Sequence, residues 1–158
     1  MARRLIEVRP AETDDDYRLV SGLVREYLAS LPFAIDFQDV DTDVERPTSY
    51  YGPPDGRAFL GVVDGECVGV VGVRRFDADS CELKRMYVRP ACRRTGLGRM
   101  LAEAAIAAGR ELGYRRILLD TIEEMRAANA LYEALGFVEI PAYRHKPLPG
   151  DRYLALEL

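Results

Sequence analysis

At 158 residues and a formal net charge of −4, the chain is long enough to bury a core without staples, and it lacks the basic excess of a general nucleic-acid binder. Its residues are 48% hydrophobic and 30% charged, ordinary for a soluble globular protein read as one domain over residues 1–158, and no apolar run reaches membrane-spanning length. Cys67, Cys81 and Cys92, without a C-x-x-C, imply neither disulfide framework nor zinc site, and the basic Met1-Ala2-Arg3-Arg4 leads into no signal-peptide core, so the cytoplasm and a metal-free protein are expected.

Residues 5–8 read as a short first strand, closed by Arg9-Pro10. Asp14, Asp15 and Asp16 then supply first-turn acids for a helix carrying Leu19, Val20, Leu23, Val24 and Leu28. Residues 31–56 are irregular, with room for a helical turn or two over 37–45. Asp36, Asp39, Asp41, Asp43 and Glu45 make this the most acidic stretch, and Tyr50 and Tyr51 add aromatic surface.

Residues 58–63 and 66–74 flank Asp64-Gly65, the strongest short-range hairpin signal in the chain. A further strand spans 81–88. Its alternation puts Glu82, Lys84, Met86 and Val88 on one face, and Cys81, Leu83, Arg85 and Tyr87 on the other.

The segment Arg93-Arg94-Thr95-Gly96-Leu97-Gly98-Arg99 reads as an anion-binding turn at a helix start. The first amides of a helix have no intrahelical acceptor and sit at the positive end of its dipole. Glycines at 96 and 98 remove the Cβ atoms that would hold an anion away, and Arg93, Arg94 and Arg99 add fixed charge suited to phosphate oxygens. The third glycine of a dinucleotide fingerprint is missing, as is the Lys-Ser/Thr pair of a nucleoside-triphosphate loop.

The helix that follows carries Leu97, Met100, Leu101, Ala104, Ala105, Ala108 and Leu112 on one stripe, and Gly113 ends it. Residues 115–121 form a compact apolar strand. Residues 125–135 are helical with Ala128, Leu131, Tyr132 and Leu135 on one stripe and Gly136 as the stop. Strands over 137–143 and 152–158 close the chain, joined by a loop that holds the sole histidine, His145. Cys92, just before the arginines, reads as a small loop filler.

Arg93-x-x-Gly96-x-Gly98 resembles the [Q/R]-x-x-G-x-[G/A] motif of the GNAT superfamily of N-acetyltransferases. Residues 83–90 look like that family's fourth strand and following turn, and Asn129-Ala130-Leu131-Tyr132-Glu133-Ala134-Leu135-Gly136-Phe137 is similar to its second signature. Arg94 departs from the glycine that many members carry. The resemblance implies an α/β (α+β) fold whose central, mostly antiparallel mixed sheet is flanked by helices and splayed between its fourth and fifth strands to admit acetyl-CoA. It implies a coenzyme site made of Met86, Tyr87, Val88, Arg93, Arg94, Thr95, Gly96, Leu97, Gly98, Arg99 and Asn129. It also makes 31–56 one wall of the acceptor site, while 143–150 resembles a bacterial small-molecule branch.

Transfer of acetyl from a thioester to an amine requires a base for the ammonium proton and an acid for the departing thiolate. The resemblance assigns Glu82 as base, on a face shared with the Met86 and Val88 backbone. The gap of ~13 Å along an extended strand calls for a water relay. It assigns Tyr132 as acid, a phenol well matched to a thiolate. The expected reaction is direct acetyl transfer to a primary amine of a small molecule in a ternary complex. Its rivals are a protein lysine or N-terminal acetyltransferase and an inactive coenzyme-binding sensor. A homodimer is compatible with this reading.

Overall fold

A computed structural model describes residues 3–31, 44–144 and 149–158. Asp36, Asp39, Asp41 and Asp43 of the acidic stretch, and His145 of the closing loop, lie outside the described residues. The strands are β1 (Ile6–Pro10), β2 (Arg57–Val63), β3 (Glu66–Arg75), β4 (Ser80–Val88), β5 (Arg116–Ile122), β6 (Val138–Glu139) and β7 (Asp151–Glu157). Among the described residues the helices are α1 (Asp14–Ser30), α2 (Pro47–Tyr51), α3 (Leu97–Glu111) and α4 (Arg126–Ala134).

The strands form one sheet in the order β1-β2-β3-β4-β5-β7-β6. The hairpin between β2 and β3 turns on Asp64 (φ 50°) and Gly65 (φ 84°), the two positive angles that a tight primed turn requires. Every neighbouring pair is antiparallel except β4 and β5, which run parallel. That parallel ladder is short: Ser80, Cys81 and Glu82 face Arg116, Ile117 and Leu118, and then the strands part. The remainder of β4 keeps β3 on one side and an open fork on the other, the splay implied by the family resemblance.

Two apolar layers cover the sheet. On one face Leu97, Leu101 and Ala105 of α3 pack with Val71, Val73, Leu83, Ile117 and Leu119. Gly61 lets this helix approach, since a Cβ there would lie 2.9 Å from the Leu97 side chain. On the other face Val20, Leu23 and Val24 of α1, with Tyr51 of α2, cover Ala58, Leu60, Val70 and Tyr87. Thr13 and Asp16 form a capping box that starts α1. Two residues read into apolar stripes are instead exposed, Leu19 at 42% and Met100 at 37%. Leu19 is rotated off the contact line held by Val20, Leu23 and Val24, and Met100 lies on the solvent side of the first turn of α3.

The strict alternation read for β4 is wrong beyond Lys84. Tyr87 pairs with Val70 but Lys84 pairs with Gly72, so three steps on β4 match two on β3. The extra residue is a bulge, with Arg85 at φ 56°. Glu82 and Lys84 therefore share a face with Tyr87 on the α1 side, whereas Met86 and Val88 pack with the core beneath α3. The closing strand expected over 137–143 is likewise only the two residues of β6, extended by one bond from Ile140 N–H to Tyr153 O at 2.8 Å. Pro141, which has no N–H to donate, comes next and ends the ladder.

Candidate active site

The loop before α3 is held by its own side chains. Thr95 Oγ1 donates to Cys92 O at 2.8 Å, and Arg93 Nε reaches back to Val88 O at 3.0 Å. Arg89 N–H donates to Val68 O, so alternation along β4 turns the Val88 backbone away from β3 and towards the fork. Arg94 adopts φ 62°, a left-handed angle that glycine takes more readily, which explains why the family often has glycine there. Gly96 is the N-cap at φ 90° and no side chain of its own caps the helix; Leu97 N–H has a long 3.4 Å bond to Thr95 Oγ1, and the Gly98 and Arg99 amides of the first turn keep free donors.

Gly98 is informative in a different way. A Cβ there would come no nearer than 3.9 Å to another atom, Leu131 Cδ2. Neither packing nor a special φ asks for glycine, and in a helix it costs about 0.5–1 kcal/mol relative to alanine. The space it leaves beside uncapped amides suits an anion. Arg99 is turned to Glu103 at 2.8 Å, while Arg94 has no ion pair among the described residues.

Asn129 and Tyr132 are the buried residues of α4, the helix that follows β5. Asn129 is 5% exposed; its Nδ2 donates to Ile122 O at 2.9 Å, and its buried Oδ1 has no hydrogen-bond partner among the described residues. An orphaned buried acceptor fits an amide donor from a bound molecule. Tyr132 is buried and packs edge-on against Phe137, ring centroids 5.7 Å apart. Burial raises the pKa of its phenol, and Tyr27 and Asp120 add to the shift, so the group stays protonated.

On the opposite face, at the end of the parallel ladder, lies a charged network of buried Glu82 and Lys84 with half-buried Asp120, Tyr143 and Arg144. Glu82, 2% exposed, accepts from Tyr143 Oη at 2.8 Å and from Arg144, both at Oε2. Arg144 Nε lies 3.4 Å from Asp120 Oδ2, and Lys84 Nζ lies 3.9 Å from Glu82 Oε1. The Tyr143 ring is held edge-on between Phe76 and Tyr153, each centroid 5.0 Å away. Burial pushes the Lys84 ammonium pKa down; Glu82 opposes that shift, and Arg144 and Arg85 reinforce it.

The structure thus separates what the sequence reading placed together: Glu82 is not on the Met86–Val88 face. It also adds Tyr143, Arg144 and Asp120, which sequence reasoning missed. Tyr143 and Arg144 lie 61 and 62 residues beyond Glu82 and carry no local motif.

A family model described as the Acetyltransferase (GNAT) family matches residues 22–137. An uncharacterised N-acetyltransferase of Schizosaccharomyces pombe is 36% identical over 146 residues, covering 91% of this chain and 88% of that protein. The N-acetylaspartate synthetase of Rattus norvegicus is 35% identical over 111 residues, 69% of this chain but only 37% of that longer protein. A Salmonella typhimurium structure solved with its cofactor acetyl-CoA superposes with a TM-score of 0.72 over 96% of this chain and 93% of that one; at 18% identity it shares the fold.

The chain belongs to the GNAT acetyltransferase family and is an acetyl-CoA-dependent N-acetyltransferase. The narrower expectation of a bacterial branch is not borne out, since a fission-yeast protein is similar across nearly the whole chain. The described residues fit acetyl-CoA: an open fork between β4 and β5, uncapped amides with space at Gly98, and the orphaned Asn129 Oδ1. No group of three or more His, Cys, Asp or Glu side chains among the described residues could hold a metal, and no described helix is long and apolar enough to cross a membrane.

Proposed function

We propose that residues 1–158 act as one catalytic domain that transfers acetyl to a primary amine of a small molecule by direct attack in a ternary complex. The observation that carries this reading is the polar network in which buried Glu82 and Lys84 of β4 meet half-buried Asp120, Tyr143 and Arg144 where β4 and β5 part. A few convergent charged and hydrogen-bonding side chains of this kind suit a small acceptor with few polar groups. The rat relative, an N-acetylaspartate synthetase, is named for the acylation of a small amine.

Acetyl-CoA supplies the activated acetyl thioester. The amides of the 93–99 turn, with Arg93, Arg94 and Arg99, hold phosphate charge; Thr95 braces the turn, and Leu97 seats its helix on the sheet. The backbone of Met86, Tyr87 and Val88 lines the β4 side of the fork, and Asn129 Oδ1 accepts from the arm of the coenzyme. Glu82 takes the proton of the acceptor ammonium, directly or through water. Its Oε2 is already occupied by Tyr143 and Arg144, so Oε1 is the receiving atom. Tyr132 keeps its proton at neutral pH and donates it to the leaving sulfur.

Thiol release from acetyl-CoA, followed with matched panels of small amines and of peptides, tests the acceptor class. Release with small amines supports the reading; release with peptides alone would transfer the chain to the protein-acetylating class.

A further inference from the structure

Lys84 is the anomaly of the network. Its side chain is 7% exposed, and an ammonium brings three donors into that site. No hydrogen bond among the described residues uses them: the nearest carboxylate oxygen, Glu82 Oε1, is 3.9 Å away, and the other Glu82 oxygen is committed to Tyr143 and Arg144. Asp120, the other carboxylate of the network, lies against Arg144. A buried ammonium left in this condition is costly unless a further acceptor completes it.

We propose that the acceptor is an α-amino acid whose carboxylate is bound by Lys84 while its amine faces Glu82 Oε1. The inference rests on the transferase reading above and names its substrate class. Glu82 Oε1 and Lys84 Nζ present a negative and a positive group 3.9 Å apart on one face of β4. An α-amino acid carries the complementary pair, ammonium and carboxylate, on a single carbon, so it lies antiparallel across the two side chains. The carboxylate supplies the oxygens that Lys84 lacks, and the amine is brought to the base. Arg144 pairs with both carboxylates, Glu82 by a hydrogen bond and Asp120 at 3.4 Å, so its charge is balanced although its Nε has no hydrogen bond among the described residues; Lys84 has one carboxylate oxygen, at 3.9 Å. Lys84 is then a specificity-determining residue.

The test is thiol release from acetyl-CoA with glycine, L-alanine, L-aspartate and L-phenylalanine, each beside its carboxamide, using wild type, Lys84→Met and Lys84→Arg. Wild type is expected to favour the free acids in kcat/KM by roughly tenfold or more, the scale of one charge-assisted hydrogen bond. Lys84→Met keeps the apolar stem and should erase that preference through KM, with acetyl-CoA affinity retained; Lys84→Arg should recover part of it. Equal use of acids and carboxamides by wild type, or a preference that survives in Lys84→Met, overturns the proposal while the transferase reading stands. If no acceptor releases thiol, the transferase reading fails, and calorimetry of the same amino acids with the coenzyme-bound protein decides the site. Binding weakened in Lys84→Met keeps it, and absence of binding removes it.

Discussion

Tyr143 Oη donates a 2.8 Å hydrogen bond to Glu82 Oε2, joining the segment before β7 to the middle of the sheet. Together with Arg144 it fixes one oxygen of the carboxylate and leaves the other towards Lys84. Replacing Glu82 by Gln keeps the shape and deletes the basicity. If Glu82 takes the ammonium proton, kcat should fall by about 10²–10⁴ and partly recover at high pH, where free amine no longer needs a base. A variant with wild-type kcat at neutral pH would show that the carboxylate only organises its cations.

Gly98 separates ligand binding from folding. Because its Cβ position is open, Gly98→Ala should leave the fold intact and stabilise α3 by about 0.5–1 kcal/mol. The same methyl group intrudes on the space beside the uncapped amides, so acetyl-CoA should bind more weakly. Calorimetric titration with thermal melts reads both effects; unchanged affinity would place the phosphates elsewhere.

Tyr132→Phe removes one hydroxyl and keeps the ring on Phe137. A donor to the leaving sulfur acts in the transition state, so kcat should drop with little change in acetyl-CoA affinity or Tm. A large fall in Tm with kcat intact would instead make the phenol a structural core group.

Much of this arrangement was legible in the sequence because its signals are local. Asp64-Gly65 specified its hairpin, Gly113 and Gly136 follow their helices at positive φ, and the 93–99 turn sits where its glycines and arginines placed it. The β4 bulge was not legible, because Arg85 takes a left-handed angle that its residue type does not advertise. That one residue reversed the face assigned to Glu82 relative to Met86 and Val88. The Tyr143 and Arg144 contacts are tertiary, and sequence shows no period or motif that brings a residue back across 61 positions. Asn129 read as a coenzyme contact, but the orphaned state of its Oδ1 is visible only once Ile122 is seen to occupy its Nδ2.

In the first turn of α1, Asp16 makes acid stability testable. Its carboxyl is held at about 2, chiefly by the Glu12 backbone N–H, with Arg9 adding a further hydrogen bond, against an ordinary 3.8. A depressed folded-state value contributes stability above the unfolded value, and that contribution is lost as pH falls from about 4 towards 2. Asp16→Asn should flatten this part of the stability curve, and Thr13→Ala should cost about 1 kcal/mol at neutral pH by opening the capping box. Denaturant melts between pH 2 and 7 check both; an Asn variant with the same acid slope would contradict the assignment.

Acetyl transfer itself is tested most directly by incubating the wild-type protein with acetyl-CoA and the small-amine panel, measuring free thiol and N-acetylated product together. The two should appear in equal amounts, only with an amine present, and both should fall in parallel in Glu82→Gln and Tyr132→Phe. Tight acetyl-CoA binding with neither thiol nor N-acetyl product from any amine or peptide would contradict catalysis and leave a coenzyme-binding sensor.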